Sequence, residues 1–156
     1  MSEIEESGLV NLDGLREAME DLVPFNRLLG FKAEELSRGF VRARCPFKPE
    51  LIGDARRPAL HGGVLGALIE ITARVAAQSQ DAGGRRPRIL NCDIDYLRSA
   101  RAQSTFASAE IVRQGRRTSL VQVTCRQDGT SAPIARGRVQ LLFGAPVDKH
   151  EIDDDA

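Results

Sequence analysis

Leu60-His61-Gly62-Gly63-Val64 opens a segment that runs to Ser79, and its reading decides the fold. At 100° per residue, Val64, Leu65, Leu68, Ile69, Ile71, Thr72, Val75 and Ala76 share one broad face, as in a long amphipathic helix. Glu70 falls opposite, among Gly66, Ala67 and Ala77, with Arg74 one turn further on. Small neighbours let another chain or a ligand approach closely there. The paired glycines leave backbone N–H groups open at the helix start, where the dipole favours negative charge. A lone carboxylate two turns from an anion-stabilising helix N-terminus suits acyl transfer.

Asp81-Ala82-Gly83-Gly84 breaks the pattern, with Gly83 as the natural stop of a helix over 62–80. Four strand-like runs follow, at 88–97, 103–113, 117–127 and 133–143. Ser99-Ala100, Gln114-Gly115 and Asp128-Gly129 separate them as turn signals, and the last three runs read as a meander. Val121, Val123 and Cys125 alternate with Gln122, Thr124 and Arg126, as a half-buried strand requires. Upstream, Asp13 caps a first helix whose stripe is Leu15, Met19, Leu22 and Val23, and Pro24 ends it. Phe25 to Gly30 reads as a short second turn. Strands at 31–37 and 40–47 meet at Arg38-Gly39, and 48–60 is a Pro- and Arg-bearing loop. One helix lies deep and six strands must cover it. The expectation is an α+β domain, a curved antiparallel sheet wrapped round one long central helix.

At 156 residues the chain is one domain with room for a real core. Its 22 Lys+Arg balance 22 Asp+Glu, which argues against nucleic acid as a partner. The cations are mostly Arg and they cluster, at Arg56-Arg57, Arg85-Arg86-Arg88, Arg98/Arg101 and Arg113/Arg116/Arg117. Such clusters suit bidentate phosphate contacts, or are a solvated Arg-rich surface. Cys45, Cys92 and Cys125 are odd in number and far apart, each in a strand-like run. They read as reduced thiols of a cytoplasmic protein, not as a disulfide framework or a zinc site. His61 and His150 are the only histidines, and His150 sits in a polar tail, so no metal centre is expected. No apolar run approaches the ~20 residues of a membrane span, and MSEIEESG is no signal peptide. The expectation is a soluble protein with no membrane partner.

The order of elements, and His61-Gly62-Gly63 with an acid nine residues after the histidine, resemble the hot-dog fold. The likeness is to the PaaI-like acyl-CoA thioesterases in particular. Asp93-Ile94-Asp95-Tyr96-Leu97-Arg98-Ser99-Ala100 resembles that family's third strand and its Tyr-Leu-x-Pro-Ala-like corner. Gln114-Gly115-Arg116-Arg117-Thr118 resembles its fourth-to-fifth strand turn. On this likeness residues 1–24 are an N-terminal helix and flexible start, 25–143 the hot-dog domain, and 144–156 an acidic flexible tail.

The resemblance implies an obligate homodimer, commonly a dimer of dimers, with active sites at the subunit interface. It implies hydrolysis of an acyl-CoA to free acid and CoA without a cofactor. Gly62 would supply the N–H that polarises the thioester carbonyl. Glu70, from the facing subunit, would attack that carbonyl or activate a water, while His61 orders the loop. A CoA thiolate leaves readily, so a carboxylate and one oxyanion donor suffice. Gly63 and Arg74 would line the substrate site, and the CoA phosphates would meet Arg88, Arg116, Arg117 and Thr118.

Two positions depart from the family. Ala55 stands six residues before the histidine, where members often carry a water-orienting amide. Arg74 stands four residues after the acid, where a small or hydroxyl residue is common. Read without the family, Glu70 and Arg74 are an i,i+4 ion pair worth ~0.3–0.5 kcal/mol. No Gly-x-Ser-x-Gly elbow exists, which sets Ser-His-Asp chemistry aside. The competing reading is a hot-dog module that binds acyl-CoA or a similar ligand without hydrolysing it. A purely structural dimeric module leaves the acid on the small-residue face unexplained.

Overall fold

The computed structural model describes residues 10–144; the expectations for 1–8 and 145–156 lie outside the described residues. The helices are α1 (Leu12–Glu17), α2 (Pro24–Leu29) and α3 (Gly62–Gln80), with a π turn Ala18–Leu22 after α1 and a 3-10 turn Pro49–Leu51. The strands are β1 (Lys32–Ser37), β2 (Phe40–Cys45), β3 (Ile52–Asp54), β4 (Ala59–Leu60), β5 (Arg88–Tyr96), β6 (Thr105–Gln114), β7 (Thr118–Arg126) and β8 (Ala135–Leu142).

Every residue of the expected apolar face of α3 is buried, Leu68 and Ile69 completely. Each such side chain contributes about 1.5–3 kcal/mol by leaving water. The buried face is wider than the periodicity implies, since Ala73 and Ala77 are buried as well, while Ser79 continues the expected face. Ala77, two turns beyond Glu70 on the same side of the helix, is thus closed off rather than open. Burying Ser79 is tolerated because its hydroxyl is paired: it donates to the Ala76 carbonyl at 2.8 Å and accepts the Gly39 N–H at 2.9 Å.

The six long strands form one antiparallel sheet in the order β1-β2-β6-β7-β8-β5, and β6, β7 and β8 are the expected meander. Val121, Val123 and Cys125 point inward, and along β8 Ala135, Gly137, Val139 and Leu141 do the same. β5 pairs only with β8, so its other edge is unpaired among the described residues. No helix among the described residues is long and apolar enough to cross a membrane.

Four local expectations are corrected. Asn11, not Asp13, caps α1: its Oδ1 accepts the Gly14 N–H at 2.9 Å, and Asp13 sits in the first turn, where the dipole also favours an acid. Leu15 and Met19 are buried as expected, but the wider π turn rotates Leu22 outward to 64% exposure. Residues 48–60 are not plain loop, since β3 and β4 pair as a small hairpin. Gly83 is not the helix stop. α3 ends through Asp81 in extended conformation, and Gly84 takes the positive φ of +63°.

That end is clamped by charge. Asp81 accepts from Arg85 Nη2 at 2.8 Å, Arg85 Nε at 3.2 Å and the Arg85 N–H at 2.8 Å. The same guanidinium donates to the carbonyls of Arg116 and Gly144. Its hydrogen bonds hold the Asp81 carboxyl below the usual carboxylate range. A depressed folded pKa adds stability above the unfolded value, and that stability is lost as pH falls through the folded one. Asp81→Asn is expected to lower Tm at neutral pH by roughly 2–5 °C. The gap to wild type should close in acid, as differential scanning calorimetry would show; equal melting at neutral pH would remove the clamp.

Candidate active site

The fold leaves one stripe of α3 exposed or half-exposed: Gly63, Gly66, Ala67, Glu70, Arg74 and Gln78, which fall along one side of the helix. β5 runs antiparallel beside it. The Tyr96 hydroxyl donates to the Gly62 carbonyl at 3.0 Å, and a Cβ on Gly66 would stand 3.4 Å from Ile94 Cδ1. Cys92 lies close enough to Glu70 to feel its charge, and Gln78 donates to the Gly84 carbonyl at 3.0 Å. Helix stripe and edge strand thus lie side by side on one open face.

At its head, His61 is the N-cap of α3, in extended conformation. Its Nδ1 accepts the Gly63 N–H at 2.9 Å, which leaves the ring's proton on Nε2 when the imidazole is neutral. Only one of the two glycine N–H groups is therefore open. Gly63 is engaged by the cap, whereas Gly62's N–H meets no acceptor among the described residues. The His61 N–H is anchored to the Leu51 carbonyl at 2.8 Å, and a Cβ on Gly53 would come within 2.6 Å of His61 Cα. The β3–β4 hairpin thereby sets where the helix begins. A recess of about 420 Å³ adjoins this end, lined by Gly62, Leu65, Tyr96 and Ala100 among others.

Glu70 is exposed in the middle of the stripe. It does not form the expected ion pair with Arg74, because no nitrogen–oxygen distance between them falls within 4.0 Å. Arg74 is half-buried, and its pKa is lowered by burial and then by Arg86, with Glu70 pulling it back up. Burial, then Glu70 and Asp93, pushes the Cys92 thiol up. Cys45 and Cys125 lie in the core, and burial pushes them up to about 11 and about 12. None of the three is an activated thiolate.

Arg88, Arg116, Arg117 and Thr118 are exposed at the opposite end of α3. Arg88 and Thr118 both flank Leu142 in the sheet register, and Arg85 ties the 116 turn to the helix C-terminus. A helix of 19 residues separates that end from Gly62 by about 28 Å. One chain does not bring these residues together with Gly62. Ala55 lies in the exposed β3–β4 turn. Tyr96, whose place at its strand end reads as a packing position, is instead 55% exposed. Its hydroxyl's bond to Gly62 carries no sequence signal, since 34 residues separate the two.

A curved antiparallel sheet round a central helix, with an open glycine N–H at the helix's start and a carboxylate on its open face, defines a hot-dog thioesterase-like protein. A profile described as "Acyl-CoA thioesterase N-terminal domain" matches residues 53–142, and the chain belongs to that family. The chain is 35% identical over 123 residues to Rv1847 of Mycobacterium tuberculosis, which carries a provisional esterase name; the match covers 76% of this chain and 85% of that one. The solved Rv1847/MT1895 structure superposes with a TM-score of 0.72 at 33% identity, over 80% of this chain and all of that one. YigI of Escherichia coli K12, a medium/long-chain acyl-CoA thioesterase, is 25% identical over 114 residues, 65% of this chain and 74% of its own. The Escherichia coli PaaI structure shares the fold, with a TM-score of 0.75 at 20% identity, over 86% of this chain and 97% of that one. These relationships support thioester hydrolysis as the general activity.

Proposed function

We propose that the protein is a cytoplasmic homodimer, assembling as a dimer of dimers, that hydrolyses acyl-CoA to free acid and CoA. The observation that carries this reading is the acceptor-free Gly62 N–H at the head of the helix whose open stripe carries Glu70. Eight residues of helix separate them by about 12 Å, too far for one chain's pair to act on one carbonyl. A two-fold axis that sets two α3 helices antiparallel brings the partner's Glu70 to Gly62. The unpaired β5 edge and its Leu90, 57% exposed, support a sheet continued into the second subunit.

In this arrangement the thioester oxygen accepts the Gly62 N–H at the positive end of the helix. Glu70 either takes a proton from the attacking water or attacks the carbonyl itself. The tetrahedral oxyanion gains most from the fixed donor, and its collapse expels the CoA thiolate. His61 holds the loop in place, and Gly63 and Arg74 line the substrate site. Arg88, Arg116, Arg117 and Thr118 meet the CoA phosphates, which one chain's geometry allows only across the dimer.

Thiol release from short, medium, long and aryl acyl-CoAs tests the activity; YigI's name makes the medium and long chains the natural first members of the panel. Light scattering tests the assembly, and a folded monomer of 17.1 kDa would overturn the shared site. The second reading, acyl-CoA binding without hydrolysis, is favoured by Ala55, since no amide stands in the β3–β4 turn to orient a water. Wild-type protein that binds acyl-CoA and releases no thiol would establish it.

A further inference from the structure

Beyond Glu70 the open stripe continues to Arg74, whose charge the thioester chemistry does not itself require. Arg74 lies one turn, about 6 Å, further along the same stripe. It is half-buried, yet among the described residues it enters no ion pair and no hydrogen bond. Arg86, from the segment leading into β5, is near enough to oppose its charge and is likewise without an acid partner among the described residues. Asp81, the next acid along the helix, is already held in Arg85's fork. Guanidinium groups do not neutralise themselves by losing a proton, so two cations remain near one another here, Arg86 exposed and Arg74 half-buried, with Glu70's charge partly offsetting that of Arg74. An anion placed there would remove their repulsion and satisfy their donors.

We propose that Arg74 and Arg86 form a carboxylate subsite, so that the favoured substrates are monothioesters of short dicarboxylic acids. The inference rests on the thioesterase reading, which puts the reacting carbonyl at Glu70 of the same subunit as these cations. A chain of a few carbons spans one helical turn, so the far carboxylate of such an acyl group reaches Arg74. The CoA phosphates do not fit as well, because the pantetheine arm sets them much further from the carbonyl than one turn. Planar guanidinium groups match a carboxylate's two oxygens, and Ile94 and Cys92 of β5, which face the helix side of the sheet, offer the methylene chain a mainly apolar neighbour.

The test compares glutaryl-CoA with pentanoyl-CoA, and the same two acyl groups on pantetheine, which has no phosphate. Wild-type protein should prefer the glutaryl thioester on both carriers. Arg74→Gln and Arg86→Gln should each reduce that preference in kcat/KM on the order of tenfold, chiefly through the glutaryl KM, and Arg74→Lys should recover part of it. An unchanged preference overturns the proposal. So does a loss shared by both CoA thioesters and absent from the pantetheine ones, which would assign the guanidiniums to phosphate. Dissociation of the dimer in both Gln variants, read by light scattering, overturns it by placing the cations in the subunit contact. If wild-type protein hydrolyses members of the wider acyl-CoA panel but none of these four, the proposal is overturned; if it hydrolyses nothing in that panel either, the thioesterase reading has failed instead. The subsite is then read by titration calorimetry, where equal affinity for glutaryl- and pentanoyl-CoA overturns it.

Discussion

Glu70→Gln is expected to lower kcat by at least ~10²-fold, the scale for removing a group that moves the essential proton or attacks the carbonyl. Folding should be almost unaffected. The side chain is exposed and makes no hydrogen bond among the described residues, so the substitution opens no cavity and strands no buried partner. Glutamine keeps the size and one oxygen, but it is a poor nucleophile and cannot accept a proton from water. Binding of acyl-CoA should survive, because most of the contacts proposed for it lie elsewhere. The measurement is single-turnover thiol release beside a calorimetric titration of the same variant. Hydrolysis at the wild-type rate would remove Glu70 from the chemistry. Gly62 offers no equivalent test, because its donor is backbone and a Cβ there would stand 3.2 Å from the Tyr96 ring.

The core was legible because burial follows periodicity. All eight residues assigned to the inner face of α3 are buried, and the six long strands fall where the alternating runs put them. What periodicity cannot carry is how far the sheet wraps. Ala77 sits about 80° from the edge of the assigned face on a 100° wheel, and only about 20° from Glu70, so only the three-dimensional fold decides that it is covered. Caps failed for a related reason. Asn11 and Asp13 are both competent oxygen acceptors, and the choice depends on whether Leu12 is already helical. At the site, residue types and spacing exposed Gly62 and Glu70, but not which glycine N–H is open. That depends on the ring of His61 folding back onto Gly63. The Arg74–Arg86 proximity joins residues from a helix and the loop after it, so no spacing rule reaches it.

Gly137→Ala is expected to be among the most destabilising single-methyl changes in the protein. Gly137 lies in β8 between Val123 of β7 and Ile94 of β5, and its α-carbon faces Ile69 on the central helix. An added Cβ would overlap Ile69 Cγ2, with the Ile69 Cδ1 at 3.4 Å and Cβ at 3.5 Å just behind. Ile69 cannot swing aside cheaply, because a β-branched side chain in a helix has one strongly preferred χ1 and this one is completely buried. Helix or strand must move. Overpacking of this kind costs about 1–3 kcal/mol, a large share of a typical 5–15 kcal/mol total, and Tm should fall by roughly 2–12 °C. Ile69→Ala alone should also destabilise, by about 2–5 kcal/mol, since it leaves a cavity. Combined, the two should cost less than their sum, because the methyl added in β8 occupies space the isoleucine has left. Urea denaturation of the four proteins in the cycle measures that coupling. Since Ile69 precedes Glu70, the single Gly137→Ala variant should also lose turnover in its folded fraction, and the double variant should regain some of it. Strict additivity in stability would mean that helix and strand relax apart freely there, and that their close approach does not hold Glu70 in place.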